Sequence, residues 1–559
     1  MPSAVESLVT LHDRLLAVDL PLELGGVDDA RRTRAELVDQ IEDYLLPRLR
    51  SIDAPLLAVI GGSTGAGKST ITNTLVGAEV SRAGVLRPTT RAPVLVCNPA
   101  DRDWFDRGGV LADLARLSGE PPPGTSGLQL VESPAVPVGL GLLDSPDIDS
   151  VETAHHDLAA QLLGAADLWL FVTTAARYAD AVPWAYLARA QERATALAVV
   201  VNRIPPGGAD EIMPHLRSML AEHGLGGALT FAVTEVPLVD GRIPGGVEPV
   251  RAWLDALVAD ASAREAMIRS TLDGALASLV GRVERTAVAV DAHAASADAL
   301  GALMERRYDE ALHEVAGELD GGNLLHSEVL DRWQDHVGTG EWMARVQSGI
   351  GRLRNRLRSM VTGRAAPEAE VRGEVQASLA MLVREAADRA ALDVVSGWTA
   401  LPGGRQVLDG GERGLDRATP LLAGRVEREI EAWQEAVFDL VRDRAGSKLA
   451  VARTLSLGIN GVGVALMVAV FSHTAGLTGG EVAVAGGTAA VSQAVLSAVF
   501  GEQAVRDLAR AAREDLLDRL RRCFDDEQAR FCELLAAVPD HEVAAGLRAA
   551  AADVPRRVR

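Results

Sequence analysis

Gly62-Ser63-Thr64-Gly65-Ala66-Gly67-Lys68-Ser69 decides the fold of this chain. The spacing G-x-x-x-x-G-K-[ST] is that of the phosphate-binding P-loop. Its glycines let backbone N–H groups curl around a phosphate with no Cβ in the way. The helix that follows turns its positive end towards the same anion. The chain has 54 arginines and only two lysines, so a lysine kept in this turn points to a task that a wide planar guanidinium does poorly. Ala54 to Ile60 reads as a buried strand leading in, and Ser69 to Val76 as a helix leading out. Gly62, Ser63, Thr64, Gly65, Ala66, Gly67, Lys68, Ser69 and Thr70 are therefore the candidate nucleotide-binding set. Lys68 is also a candidate catalytic group, and the Ser69 hydroxyl a candidate ligand for Mg2+.

Outward from this turn, residues 52–261 alternate strand-like and helical runs. The strand candidates are 56–60, Pro93 to Cys97, 138–143, Leu168 to Thr173, Ala196 to Val201 and Ala228 to Val233. Such alternation predicts an α/β domain with a mostly parallel sheet and helices on both faces. Residues 28–50 carry Leu37, Val38, Ile41, Tyr44 and Leu45 on one helical face, and 1–51 are expected to pack on the helical bundle. After 262 the strand signals fade and Ala/Leu/Arg/Glu segments take over, broken at Asp320-Gly321-Gly322, near Gly363 and at Pro402-Gly403-Gly404. Residues 262–453 read as a helical bundle or stalk, and 502–559 as its return helix, with Val505, Leu508, Ala512, Leu516, Leu520 and Phe524 on one face.

Three further motifs suit a GTPase site. Arg87-Pro88-Thr89-Thr90-Arg91-Ala92-Pro93 is a polar loop before a strand, and Thr90, with Thr89 as fallback, is the candidate to sense Mg2+ and the γ-phosphate and to act in catalysis. Leu140-Gly141-Leu142-Leu143-Asp144 ends a strand in a carboxylate suited to Mg2+. Val199-Val200-Val201-Asn202-Arg203-Ile204-Pro205 has the position and leading Asn of an Asn-Lys-x-Asp base-reading motif, with Pro205 where the aspartate would stand. Asn202 and Arg203 are the base-side candidates, and GTP is inferred from context. Leu117-Ser118-Gly119-Glu120 followed by Asp144 superficially mimics an ATP-binding cassette, the ATPase component of a transporter. Ser145 stands where a cassette's catalytic Glu belongs, and a proline-rich loop stands where its helix belongs.

Composition excludes other classes. Net charge is −21, so no global basic field draws in nucleic acid, and aromatic content of 4% leaves few base-stacking platforms. The cysteines, Cys97, Cys523 and Cys532, form no metal pattern and suit a reducing cytoplasm; the start of the sequence shows no signal peptide. Thr454 to Gly480 and Val482 to Gly501 contain no charged residue, with only Glu481 between them. Each run is long enough as a helix for a bilayer core of ~30 Å. Basic residues flank the outer ends: Arg442, Arg444, Lys448 and Arg453 before, Arg506, Arg510 and Arg513 after. Residues 454–501 are expected to form an apolar hairpin that inserts into lipid or embeds shallowly, with a buried helical pair as the alternative. Arg352 to Arg364 is a basic cluster that reads as a solvated helix face, with anionic headgroups as the second reading. His155-His156 reads as helix surface.

The P-loop, Thr90-Arg91-Ala92-Pro93, Asp144-Ser145-Pro146 and Asn202-Arg203 together resemble bacterial dynamin-like GTPases, particularly those of actinobacteria. The motif resemblance covers roughly residues 52–240. It departs from the family at Gly65, where a polar residue is usual, at Asp147, where Gly is usual, and at Pro205. The resemblance implies Mg2+-dependent GTP binding and hydrolysis, slow without dimerisation. It implies a homodimer or higher oligomer formed through the GTPase domain, and coupling to membrane remodelling at the cytoplasmic face of the cell membrane. The rival expectation is a soluble GTP-dependent scaffold or switch in which 454–501 is core.

Overall fold

The computed structural model describes residues 4–81, 92–106, 110–111, 114–117, 127–147, 153–180, 184, 186–188, 190–191, 196–321, 367–411, 413–445, 458–472, 496–497 and 500–558. The chain divides into two compact units that interleave in sequence. The first comprises Met1–Leu20, Gly25–Ala292 and Pro539–Arg559, and the second Pro21–Leu24 and His293–Val538.

The first unit is built on eight strands: β1 (Leu56–Gly62), β2 (Val94–Cys97), β3 (Arg116–Leu117), β4 (Leu128–Glu132), β5 (Leu140–Asp144), β6 (Leu168–Thr174), β7 (Ala196–Ile204) and β8 (Leu229–Thr234). Their spatial order is β3-β4-β2-β5-β1-β6-β7-β8. All neighbours run parallel except β2 and β5. β1, β5 and β6 are buried along their whole length, which is why they read as unbroken apolar runs. Side chains alternate across β1: Leu57 and Val59 join one core, Leu56, Ala58 and Ile60 the other. The sheet is therefore covered on both faces.

Helices of this unit are α1 (Ala4–Ala17), α2 (Val27–Gln40), α3 (Leu46–Arg50), α4 (Lys68–Val76), α5 (Arg102–Asp106), α6 (Thr153–Gly164), α7 (Ala209–Glu222) and α8 (Glu248–Ala259). A π-helical turn at Ile41–Leu45 joins α2 to α3. Leu8, Leu11 and Leu15 of α1 pack with Leu37 and Ile41, with Leu272 to Val290 of α9 (Ala261–Gly321), and with Ala544 and Leu547 of α15 (His541–Val558). A buried ion pair ties this layer to the sheet. Arg48, in the middle of α3, pairs with Asp167, both fully buried, and Asp167 Oδ2 also accepts the backbone N–H of Leu57 at 2.7 Å. Burial, more than any other influence, pushes the Asp167 carboxyl above its ordinary range.

The second unit is helical. It holds α9 from His293 on, then α10 (Pro367–Ala400), α11 (Gly404–Asp409), α12 (Pro420–Ala445), α13 (Gly458–Ser472) and α14 (Glu502–Leu535). Val505, Leu508, Ala512, Leu516, Leu520 and Phe524 all face its core. Trp398 and Trp433 are fully buried, and their ring N–H groups donate to the carbonyls of Leu300 and Ala512 at 3.0 and 2.7 Å. α13, from the first uncharged run, is also core. Val462, Val464, Ala465, Leu466, Met467, Ala469 and Val470 are buried there, and a Cβ on Gly463 would collide with the Phe438 ring. Residues 473–495, the loop 118–126 and the basic cluster at 352–364 lie outside the described residues. Among the described residues, no helix is long and apolar enough to cross a membrane.

Candidate functional site

Strand register assembles the site. Ile60 pairs with Asp144, Gly62 with Val172, and Thr174 with Asn202, so the carboxyl ends of β5, β1, β6 and β7 lie side by side. Ligands of open parallel sheets bind at this edge, where connections diverge to opposite faces. The turn between β1 and α4 leaves from the middle of it. Gly62 has φ +154°, and a Cβ there would strike the Val172 carbonyl. Gly67 has φ +95° and would bring a Cβ to 2.5 Å from Asn202 Nδ2. Both positions therefore need glycine. Ala66 N–H donates to Ser63 O at 3.1 Å and closes the turn, and α4 begins at Lys68.

The Lys68 ammonium is 5% exposed. It donates to the carbonyl oxygens of Gly62 at 2.8 Å and Ser63 at 3.4 Å, and pairs with Asp147 Oδ1 at 2.5 Å. Ser69 Oγ donates to Asp144 Oδ2 at 2.6 Å, and Ser81 Oγ donates to the same oxygen. Asp144 is fully buried, and its other oxygen, Oδ1, has no hydrogen-bond partner. Burial raises its pKa most; the Ser69 and Ser81 hydroxyls and Lys68 pull it back down, and Asp147 adds to the rise. An orphaned buried carboxylate oxygen beside a serine hydroxyl is a hard-oxygen donor pair that fits Mg2+. Among the described residues no group of three or more His, Cys, Asp or Glu could hold a metal.

Asn202, 5% exposed, donates from Nδ2 to Ala66 O at 2.9 Å, and its Oδ1 accepts the Arg203 N–H at 2.9 Å. It braces the phosphate turn from β7. Arg203 is exposed, with φ +55° at an irregularity in the β7–β8 ladder. Thr64 and Thr70 are half-buried, and the Thr70 carbonyl accepts from Thr74 Oγ1 at 2.6 Å. Thr89 and Thr90 lie outside the described residues. His155 and His156 fall on α6.

Four contacts in this site were not foreseen. Ser81 reaches Asp144 because Asn73 of α4 clamps residues 80–81: its Oδ1 accepts the N–H groups of Val80 and Ser81, both at 2.9 Å, and its Nδ2 donates to Ser81 O at 2.6 Å. Arg177, just past β6, donates to Thr64 O at 3.1 Å. Asp147 reaches Lys68 across the top of the sheet. Lastly, Asn202, the base-side candidate, also grips the turn itself. Asp147 and Arg177 carry no sequence signal beyond a polar side chain just after a strand, and Ser81 carries none.

The fold and this edge define a P-loop α/β nucleotide-binding domain joined to a helical unit. Two solved structures described as an oligomerised bacterial dynamin pair, with a mechanism for long-range sensing and tethering of membranes, are similar to the chain. The first covers 99% of this chain and 95% of its own at 10% identity and a TM-score of 0.43; the second covers 97% of each at 10% identity and a TM-score of 0.40. A variant of Era from Aquifex aeolicus bound to GDP and AlF4− covers 36% of this chain and 56% of its own at 21% identity and a TM-score of 0.25. No protein-family model matches the chain, and no curated protein matches it in sequence.

Proposed function

We propose that the chain is a dynamin-like GTPase that binds Mg2+–GTP at the β1–α4 turn and couples its hydrolysis to membrane association. One observation carries the nucleotide half: a glycine-dependent turn, a buried lysine and the Ser69–Asp144 pair meet at the carboxyl edge of a parallel sheet. In this reading the turn's N–H groups cradle the inner phosphates and Lys68 neutralises the outer ones. Ser69 and Asp144 hold Mg2+, which offsets phosphate charge when bound. Thr90 senses the γ-phosphate, and Arg203 lies beside the base. Paired GTPase domains favour hydrolysis by excluding solvent. GTP in place of ATP rests on the motif resemblance, since Pro205 takes the position of the base-reading aspartate. The deciding experiment is competition of GTP against ATP for the purified chain, with Lys68→Ala as control. GTP preference lost in the variant supports the reading; ATP preference, or equal binding by the variant, overturns it.

For the membrane half, within 454–501, lipid contact is assigned to the stretch 473–495, because α13 from the first uncharged run and Leu496 and Phe500 from the second pack in protein core. That burial is also the observation favouring the second reading, a GTP-dependent scaffold with no lipid partner. Flotation with anionic vesicles, comparing the full chain with a 473–495 deletion, separates them. Flotation of the full chain that the deletion abolishes supports membrane association at the cytoplasmic face; an intact chain that stays with the soluble fraction supports the scaffold.

A further inference from the structure

Lys68 meets two kinds of partner. Two of its contacts are the carbonyls of its own turn; the third is the Asp147 carboxylate at 2.5 Å. An ammonium has three protons and no acceptor. Asp147 thus holds the one direction in which Lys68 offers itself to an anion. The carboxylate is 35% exposed and sits three residues beyond Asp144, at the open side of the lysine. In a P-loop the backbone amides hold the inner phosphates while the lysine reaches the outer ones. The last phosphate of a triphosphate is therefore the group that meets Asp147.

We propose that Asp147 sets the phosphate-number preference of this site: it contends with the terminal phosphate for Lys68, disfavours triphosphate relative to diphosphate, and leaves the lysine when a triphosphate binds. The inference rests on the nucleotide reading above and adds to it the residue that tunes discrimination. A glycine or amide at this position would leave the cation to the phosphate alone. A carboxylate makes triphosphate binding an exchange of one ion pair for another, with the added repulsion between Asp147 and an anionic phosphate.

Calorimetric titration of the full chain with GDP and with a non-hydrolysable GTP analogue, both with Mg2+, tests it. Asp147→Asn keeps shape and removes charge, and should raise the ratio of triphosphate to diphosphate affinity roughly three- to tenfold, the scale of one charge-assisted contact in a partly exposed setting. Asp147→Ser, measured in parallel, carries the same expectation, so misfolding of one variant leaves the ratio measurable. Asp147→Glu, which keeps the charge, should stay close to the parent ratio. An unchanged ratio in the two neutral variants, or equal gains for both nucleotides, overturns the role of Asp147 while leaving the nucleotide reading intact. Failure of the parent and every variant to bind either nucleotide overturns both.

Discussion

The β1–α4 turn and helix α13 are both short, glycine-punctuated and free of acidic residues, yet they differ in how far local sequence settles their role. In the turn, glycines at 62 and 67 answer specific steric demands, from the Val172 carbonyl and the Asn202 amide. Residue type and spacing there are consequences of geometry. In α13, glycine and small aliphatic residues meet a demand that lipid tails and a protein core share: absence of charge and close approach. Composition cannot choose between those solvents, and packing does. Val462 to Met467 are buried among helices of the second unit.

The largest expected effects would break this contrast most directly. Lys68→Ala should weaken nucleotide binding roughly 10- to 150-fold, the worth of a charge-assisted contact. It should leave the helical unit's unfolding transition in place. Leu466→Ala should do the reverse. Leu466 is fully buried, so removing its side chain should destabilise the second unit by about 2–5 kcal/mol in thermal or urea unfolding, with nucleotide affinity kept. A Leu466→Ala protein as stable as its parent would mean that α13 is not core in solution, and would return the first uncharged run to the membrane.

Asp144→Asn sharpens the nucleotide side. Burial raises the folded-state pKa of Asp144 above the ordinary value of 3.8. The folded chain thus holds this proton more tightly than the unfolded chain. Its contribution to stability is full below about pH 4 and is lost as pH rises through the folded pKa. Asparagine removes that loss, so the variant should be at least as stable as the parent near neutrality, with a flatter stability profile above about pH 4. Its nucleotide affinity should cease to depend on Mg2+. A variant that unfolds at neutral pH, or retains full Mg2+ dependence, would show Asp144 to be structural.

What the sequence made legible follows the same division. Six strands stand out as apolar runs; β1, β2, β5 and β6 do so because they are buried along their whole length, whereas β8 is mostly exposed or half-buried and shows only through its composition. β3 and β4 do not stand out: one is two residues long, and Leu128–Glu132 is mostly half-buried and ends in a charge. The antiparallel placement of β2 against β5 leaves no local trace. At the candidate site, the turn and Asp144 are visible from spacing and from a strand's last residue. Ser81, Asp147 and Arg177 are not, because their partners lie 63, 79 and 113 residues away. The Arg48–Asp167 pair, 119 residues apart, was hidden for the same reason. Helical period foretold the buried face of α14. It could not foretell that α15, just beyond, packs in the other unit with α1, since that grouping depends on long-range contacts alone.

The smallest expected effect uses the cysteines as reporters of each region. Cys97 lies on β2 in the first unit and Cys523 on α14 in the second; both are buried, and burial first of all pushes each thiol up to about 11. At pH 8 such a thiol is ionised to roughly one part in a thousand, and the thiolate is the reactive form. Cys532 is exposed, so a thiol reagent should label it first although burial raises its pKa too. Labelling of Cys97 and Cys523 then requires local opening, whose rate need not be the same in the two units. Leu466→Ala should speed labelling of Cys523 several-fold while Cys97 keeps its parent rate, and saturating nucleotide should slow Cys97 alone. Equal acceleration at both cysteines in Leu466→Ala would mean that the sheet and the helical unit open together, and that the two regions are not energetically separate.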